Sequence, residues 1–252
     1  MSAFGTALAV LLSVLGFALL GARLRAALPT DHVSGESKEV IRLGTGLIAT
    51  LVALILGLLV ATAKSSFDAK EAEVKQISAR IVQVDRTLRQ FGPETVGARR
   101  ILHALVAARA ERPWIEDTRA GREGDLGRAK RIDEFVDALL ALQPANERQQ
   151  WLKGQALELS AGAVNLRWLF AQDVESAVSR PLLVVLVFWL GVIFTSLGLI
   201  APRNATVFTV IVLCALSVST AVFVVLELDR PFSGLVELSR EPFRAALWQL
   251  DQ

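Results

Sequence analysis

The chain has 252 residues, 27 Lys and Arg against 25 Asp and Glu, and an apolar content of 53%. A formal charge of +2 is too slight to argue for a nucleic-acid partner, and a mean hydropathy of +0.47 is high for a water-soluble protein. The single cysteine, Cys214, excludes an intrachain disulfide and any metal centre built on cysteines.

High apolar content and many charges fit one chain only if the charges are segregated. They are: residues 64–180 hold 36 of the 52 charged side chains. Four stretches hold none, namely Ala3–Gly21, Leu43–Ala63, Leu182–Ala201 and Ala205–Leu226. Each is about 20 residues, the length an α-helix needs to cross a hydrocarbon core about 30 Å thick. Burying one ionised side chain there costs at least about 2.5–3.5 kcal/mol, so four clean stretches predict four spans. The first is read as a retained helix and not a cleaved signal, because "MSAFGTALAV" lacks a positive leader and no small-residue cleavage site follows.

In chain order, the first span is followed by a turn over about 22–42, where Ser34 or Ser37 caps the incoming helix. The second span runs on without Pro or Gly into charged sequence. There Phe67, Val74, Ile77, Ile81, Val84, Leu88 and Phe91 recur at steps of seven, three and four, a seam for helix packing with Lys70 at its one polar position. Span and seam therefore form one helix over Leu43–Phe91, about 70 Å long at 1.5 Å per residue. Gly92-Pro93 stops it, and "PETVGARRILHALVAARAE" starts another helix. "EDTRAGREGDLG" reads as a tip loop. A third helix of the insert covers about Leu126 to Leu142, and after "QPAN" a fourth leads from about Ala145 toward the third span, with Pro181 at that span's start. A short turn at 202–204 joins the last two spans.

Within the second span Thr45, Ala49, Ala53, Gly57 and Ala61 fall at every fourth position, and such small residues let another backbone approach closely. Two readings stand: a helix contact inside one subunit, or a face turned to a symmetry axis, packed on its copies or lining a narrow pore. Thr45, Thr50 and Thr62 offer hydroxyls to an ion or bond the preceding turn. No span holds a mid-membrane Asp, Glu, Lys, Arg or His. That argues against coupled transport, which needs a titratable or charged seat.

The string "LPTDHVSGESKEVIRLGTGLIATLVALILGLLVATAKSSFD" resembles the signature of a bacterial membrane family of unknown function described as bestrophin-like. The tail "ELDRPFSGLVELSREP" is similar to that family's second signature, carried here by Leu228, Asp229, Pro231, Phe232 and Gly234. By analogy with bestrophin anion channels, the resemblance implies a homopentamer with cytoplasmic termini and insert, and a second span lining a central anion pore. In bestrophins a Pro-Phe-Gly element leads into an acidic calcium clasp. Here "LVELSREP" follows without an acidic cluster, which speaks against calcium gating. Small residues also stand where bulky gating side chains are expected.

Arg42 and Lys64, at the two ends of the second span, read either as interfacial anchors or as attractors of anions at pore mouths. Asp229, Pro231, Phe232 and Gly234 read as a structural turn after the last span. His32, beside Asp31, reads as a loop histidine because the only other histidine, His103, lies in the insert. Cys214 reads as a small buried apolar side chain. No Ser-His-Asp spacing, phosphate-cradling glycine loop or paired carboxylates within a span is present, so no enzyme, cofactor or metal site is expected.

The expectation is an all-α polytopic membrane protein with four transmembrane helices and a helical extramembrane domain between the second and third spans. Its parts are 1–63 (two spans), 64–180 (soluble domain), 181–228 (two spans) and 229–252 (a tail with a short helix). Its partners are the lipid bilayer, copies of itself and an anion, without nucleic acid. The alternative is a non-conducting scaffold or sensor that binds a partner through the insert. Lys and Arg near the span ends favour the insert side, placing it in the cytoplasm of an inner-membrane protein. The charge-free N-terminus followed by Arg23 and Arg25 points the other way.

Overall fold

The computed structural model describes residues 3–29, 35–111, 127, 129–172, 180–202, 204–229 and 235–252, and among these every regular element is helical. The helices are α1 (Ala3–Ala27), α2 (Gly35–Phe91), α3 (Val96–Glu111), α4 (129–140), α5 (Glu147–Gln172), α6 (Arg180–Ile200), α7 (Ala205–Leu228) and α8 (Glu241–Leu250). Helices α1, α6 and α7 and the apolar part of α2 are long and apolar enough to cross a membrane. The chain divides into two compact units: Met1–Phe67 with Ser176–Arg230, and Asp68–Glu175 with Pro231–Gln252. The second span and its charged continuation are one unbroken helix of 57 residues.

The first unit is built on α1, which buries Ala3, Ala7, Val10, Val14, Ala18 and Gly21 at three- and four-residue steps against α6 and α7. Its core joins Val52, Leu59 and Ala63 of α2, Leu186, Leu190 and Phe194 of α6, and Ala215, Val222 and Val225 of α7. In lipid, packing gains replace the hydrophobic drive, so close backbone approach matters. It occurs where α1 crosses α6. A Cβ on Gly21 would strike the Thr195 carbonyl, and one on Gly198 the Ala18 carbonyl. Ser219 of α7 donates from Oγ to the Ala7 carbonyl, 2.7 Å away and buried.

The helix ends are closed locally. Asn204 Oδ1 accepts from the Val207 amide at 2.8 Å, capping α7. Arg25 donates to the carbonyls of Ile200 and Ala201, a cation at the C-terminal end of α6. The turn expected over 22–42 is accordingly shorter, because α1 continues to Ala27 and α2 begins at Gly35. Charge ends the apolar stretch without ending the helix.

In the second unit the seam of α2 is buried at Val74, Ile77, Val84, Leu88 and Phe91, with Ile81 partly covered. Its Val84, Leu88 and Phe91 pack with Leu102 and Val106 of α3, Phe135 and Leu139 of α4, Leu152 and Ala156 of α5, and Ala246 and Leu250 of α8. Gly92 adopts φ 137°, a region that favours glycine, and so turns the chain. Thr95 secures the turn by donating to the carbonyls of Leu88 and Gly92, each at 2.8 Å. Helix α3 starts at Val96, since Pro93–Thr95 form a 3-10 turn.

One polar node ties three of these helices. The Asp85 carboxylate, in a residue only 4% exposed, accepts from Arg89 Nε at 2.6 Å and from Arg99 Nε of α3 at 2.8 Å. Arg89 Nη2 also donates to the carbonyls of Gln249 and Leu250 at the end of α8. Two cations facing one buried carboxylate meet the requirement that buried charge be paired.

Candidate functional site

Helix α2 shows three flanks in its membrane portion. Val52, Leu59 and Ala63 face the core, with Ile48, Ile55 and Leu56 packed beside them. Leu47, Leu51, Leu54 and Leu58 form an exposed bulky flank, with Leu47 at 72% and Leu54 at 71% exposure. The third flank is the small-residue row. Ala49, Ala53, Gly57 and Ala61 are exposed, Thr45 is half-buried, and a Cβ on Gly57 would meet nothing within 4 Å.

A step of four residues advances about 40° past a full turn, so the row winds around the helix instead of running straight. That drift sets Thr45 at the margin of the core face, carries Ala53 and Gly57 well away from it, and brings Ala61, seven residues after Leu54, to the edge of the leucine flank. The row is therefore not covered by the described helices of its own chain. The close intrachain approach weighed for it occurs instead at Gly21 and Gly198 between α1 and α6.

Thr45, Thr50 and Thr62 donate to the carbonyls of Ile41, Gly46 and Leu58, at 2.7, 3.0 and 2.9 Å. Their protons are spent on the preceding turn, which leaves only lone pairs facing outward. Arg42 is exposed and has no partner among the described residues. Lys64 is exposed too, with Nζ 5.5 Å from the Phe67 ring centroid.

Asp229 is the C-cap of α7, its amide donating to the Val225 carbonyl at 3.1 Å. Pro231, Phe232 and Gly234, the Asp31–His32 pair, Ser34 and most of the tip loop lie outside the described residues. Ser37 is in the first turn of α2. Cys214 corrects an expectation, because it is exposed. Ala215, Ser219 and Val222 set the buried face of α7 and rotate Cys214 outward. Among the described residues no group of three or more His, Cys, Asp or Glu could hold a metal ion.

Sequence reasoning missed the node at Asp85 and the glycine crossing of α1 and α6. Gly191 and Gly198 stand seven residues apart on one face of α6, which was a readable sign of close packing. For Asp85 the sequence offered only Arg89 at i+4, since Arg99 arrives from the next helix.

The exposed leucine flank and the four long apolar helices make this a membrane protein. A family model described as Bestrophin-like domain matches residues 12–243. The chain belongs to the bestrophin-like family. The match begins within α1, takes in α2 to α7 and ends in the first turn of α8 of this bestrophin-like chain. Comparison with curated proteins finds no match, and comparison with solved structures finds none either.

Proposed function

We propose that this bestrophin-like protein is a homo-oligomeric, passive channel for chloride-type anions, with the second spans gathered around the conduction axis. The observation that carries the reading is the uncovered row Ala49, Ala53, Gly57 and Ala61, on a helix whose other faces are a packed core flank and a leucine flank. Bulky leucines suit acyl chains, whereas a smooth small-residue flank suits protein neighbours or a narrow conduit. The family's association with anion channels supports the same reading.

In this arrangement Arg42 and Lys64 stand near the two ends of the row. Fixed positive charge, repeated around an axis, raises the local anion concentration without binding any ion tightly. Because the threonine protons are engaged, selectivity rests on those cations and on pore width. By analogy the assembly is a pentamer. Residues 1–63 and 181–228 form its membrane part, 64–180 its cytoplasmic helical domain and 229–252 its tail, in the inner membrane. A reporter fused after Gln252 that is active only outside the cytoplasm would overturn the orientation.

Purified protein in liposomes is expected to show chloride flux that falls when Ala53 or Gly57 is replaced by Phe. Stable oligomers without flux of any ion would refute the channel. They would favour the second reading, a non-conducting scaffold or sensor, for which the exposed Trp151 and Trp248 on the second unit provide partner-sized aromatic surface. Recovery of a stoichiometric partner through residues 64–180 would support that reading.

A further inference from the structure

The second unit carries a cationic pocket for which conduction has no use. Its volume is about 190 Å³, and it is lined by Asp85, Val96, Arg99, Arg100, His103 and Leu250. Arg99 spends Nε on Asp85, and its two terminal nitrogens find no acceptor among the described residues. Arg100, the next residue on α3 and exposed, has no partner among them at all. Arg99 and Arg100 against Asp85 leave the lining with an excess of one positive charge. At the rim His103 Nε2 lies 2.7 Å from Asp251 Oδ1, a pair largely in solvent and therefore screened.

The buried Asp85 fixes the plane of the Arg99 guanidinium, and an oriented guanidinium fork matches the oxygens of a phosphate or carboxylate. A phosphate group offers oxygens to the donors of both Arg99 and Arg100, whereas a chloride ion offers a single centre and a carboxylate only two oxygens. At about 190 Å³ and open to solvent, the site seats a small charged group and leaves the rest of a larger molecule outside.

We propose that this pocket binds a phosphate group, free or carried by a larger molecule, with Arg99 and Arg100 donating to its oxygens. Val96 and Leu250 supply the apolar walls. Because Leu250 belongs to α8, occupancy fastens α8 to α3 as well as filling the pocket.

The full-length protein in phosphatidylcholine nanodiscs, titrated with inorganic phosphate at constant ionic strength, tests this by hydrogen exchange of the α3 and α8 amides. Saturable slowing of exchange is expected, with apparent affinity at least about tenfold weaker in Arg100→Gln, the variant that removes charge-assisted bonds without breaking an existing partner. Replacing half the lipid with phosphatidylglycerol identifies the source. Slowing without added phosphate, lost in Arg100→Gln, supports the site and assigns the group to a lipid headgroup. No slowing in either arm, or unchanged affinity in Arg100→Gln, overturns the proposal. The readout is exchange and not flux, so a protein that proves non-conducting leaves this test intact.

Discussion

Replacing Asp85 by Ala tests whether one buried carboxylate organises the second unit. The Asp85 side chain is 5% exposed, while those of Arg89 and Arg99 are 34% and 29% exposed. Breaking a fully buried ion pair costs about 3–5 kcal/mol. Here the abandoned guanidinium groups can recover part of their hydration, and Arg89 keeps the Gln249 and Leu250 carbonyls as acceptors. The estimate is therefore reduced to about 2–3 kcal/mol, below the roughly 3–6 kcal/mol of two fully shielded charge-assisted hydrogen bonds. That corresponds to amide opening increased by roughly 30- to 160-fold. Hydrogen exchange by mass spectrometry in nanodiscs should show it in both Val96–Glu111 and Glu241–Leu250, with α1 and α6 as internal references. Asp85→Asn should fall between wild type and Asp85→Ala, because it keeps one acceptor and loses the charge. A change under about threefold, or loosening of α3 with α8 untouched, would show that Asp85 does not join these helices.

Other substitutions probe the membrane unit. Gly198→Leu should cost at least about 1–3 kcal/mol in a detergent unfolding titration, because its Cβ has no room beside the Ala18 carbonyl. At Gly57 an added Cβ has open space within 4 Å, so Gly57→Leu should leave that titration unchanged while altering the subunit count in native mass spectrometry. Ser219→Ala should lose about 1 kcal/mol in the same titration, the worth of one interhelical hydrogen bond in a membrane. Asn204→Ala should cost about 1 kcal/mol and raise exchange in the first turn of α7.

Much of the fold was legible because its signals are local and strong. The unbroken passage from span to seam in α2 follows from the absence of Gly and Pro between Leu58 and Phe91, and its end from Gly92. The extension of α1 past Arg23 was less visible, since an apolar window stops at charge while the helical backbone does not. For the candidate site, the small row was visible as spacing. Whether the chain covers its own row depends on how far that spacing drifts relative to Val52, Leu59 and Ala63.

By itself the sequence determined which segments enter lipid, that the chain is helical, and that α2 continues into charged sequence. These follow from the cost of buried charge and from backbone rules that act within a few residues. Only the tertiary structure decided which faces are used: Cys214 outward, Gly21 and Gly198 at the α1–α6 crossing, Asp85 buried between two arginines, and Leu250 brought beside Arg99 and Arg100. Each depends on residues far apart in the chain meeting across packed helices, and helical periodicity fixes a residue's position around its own axis but not the neighbour it meets.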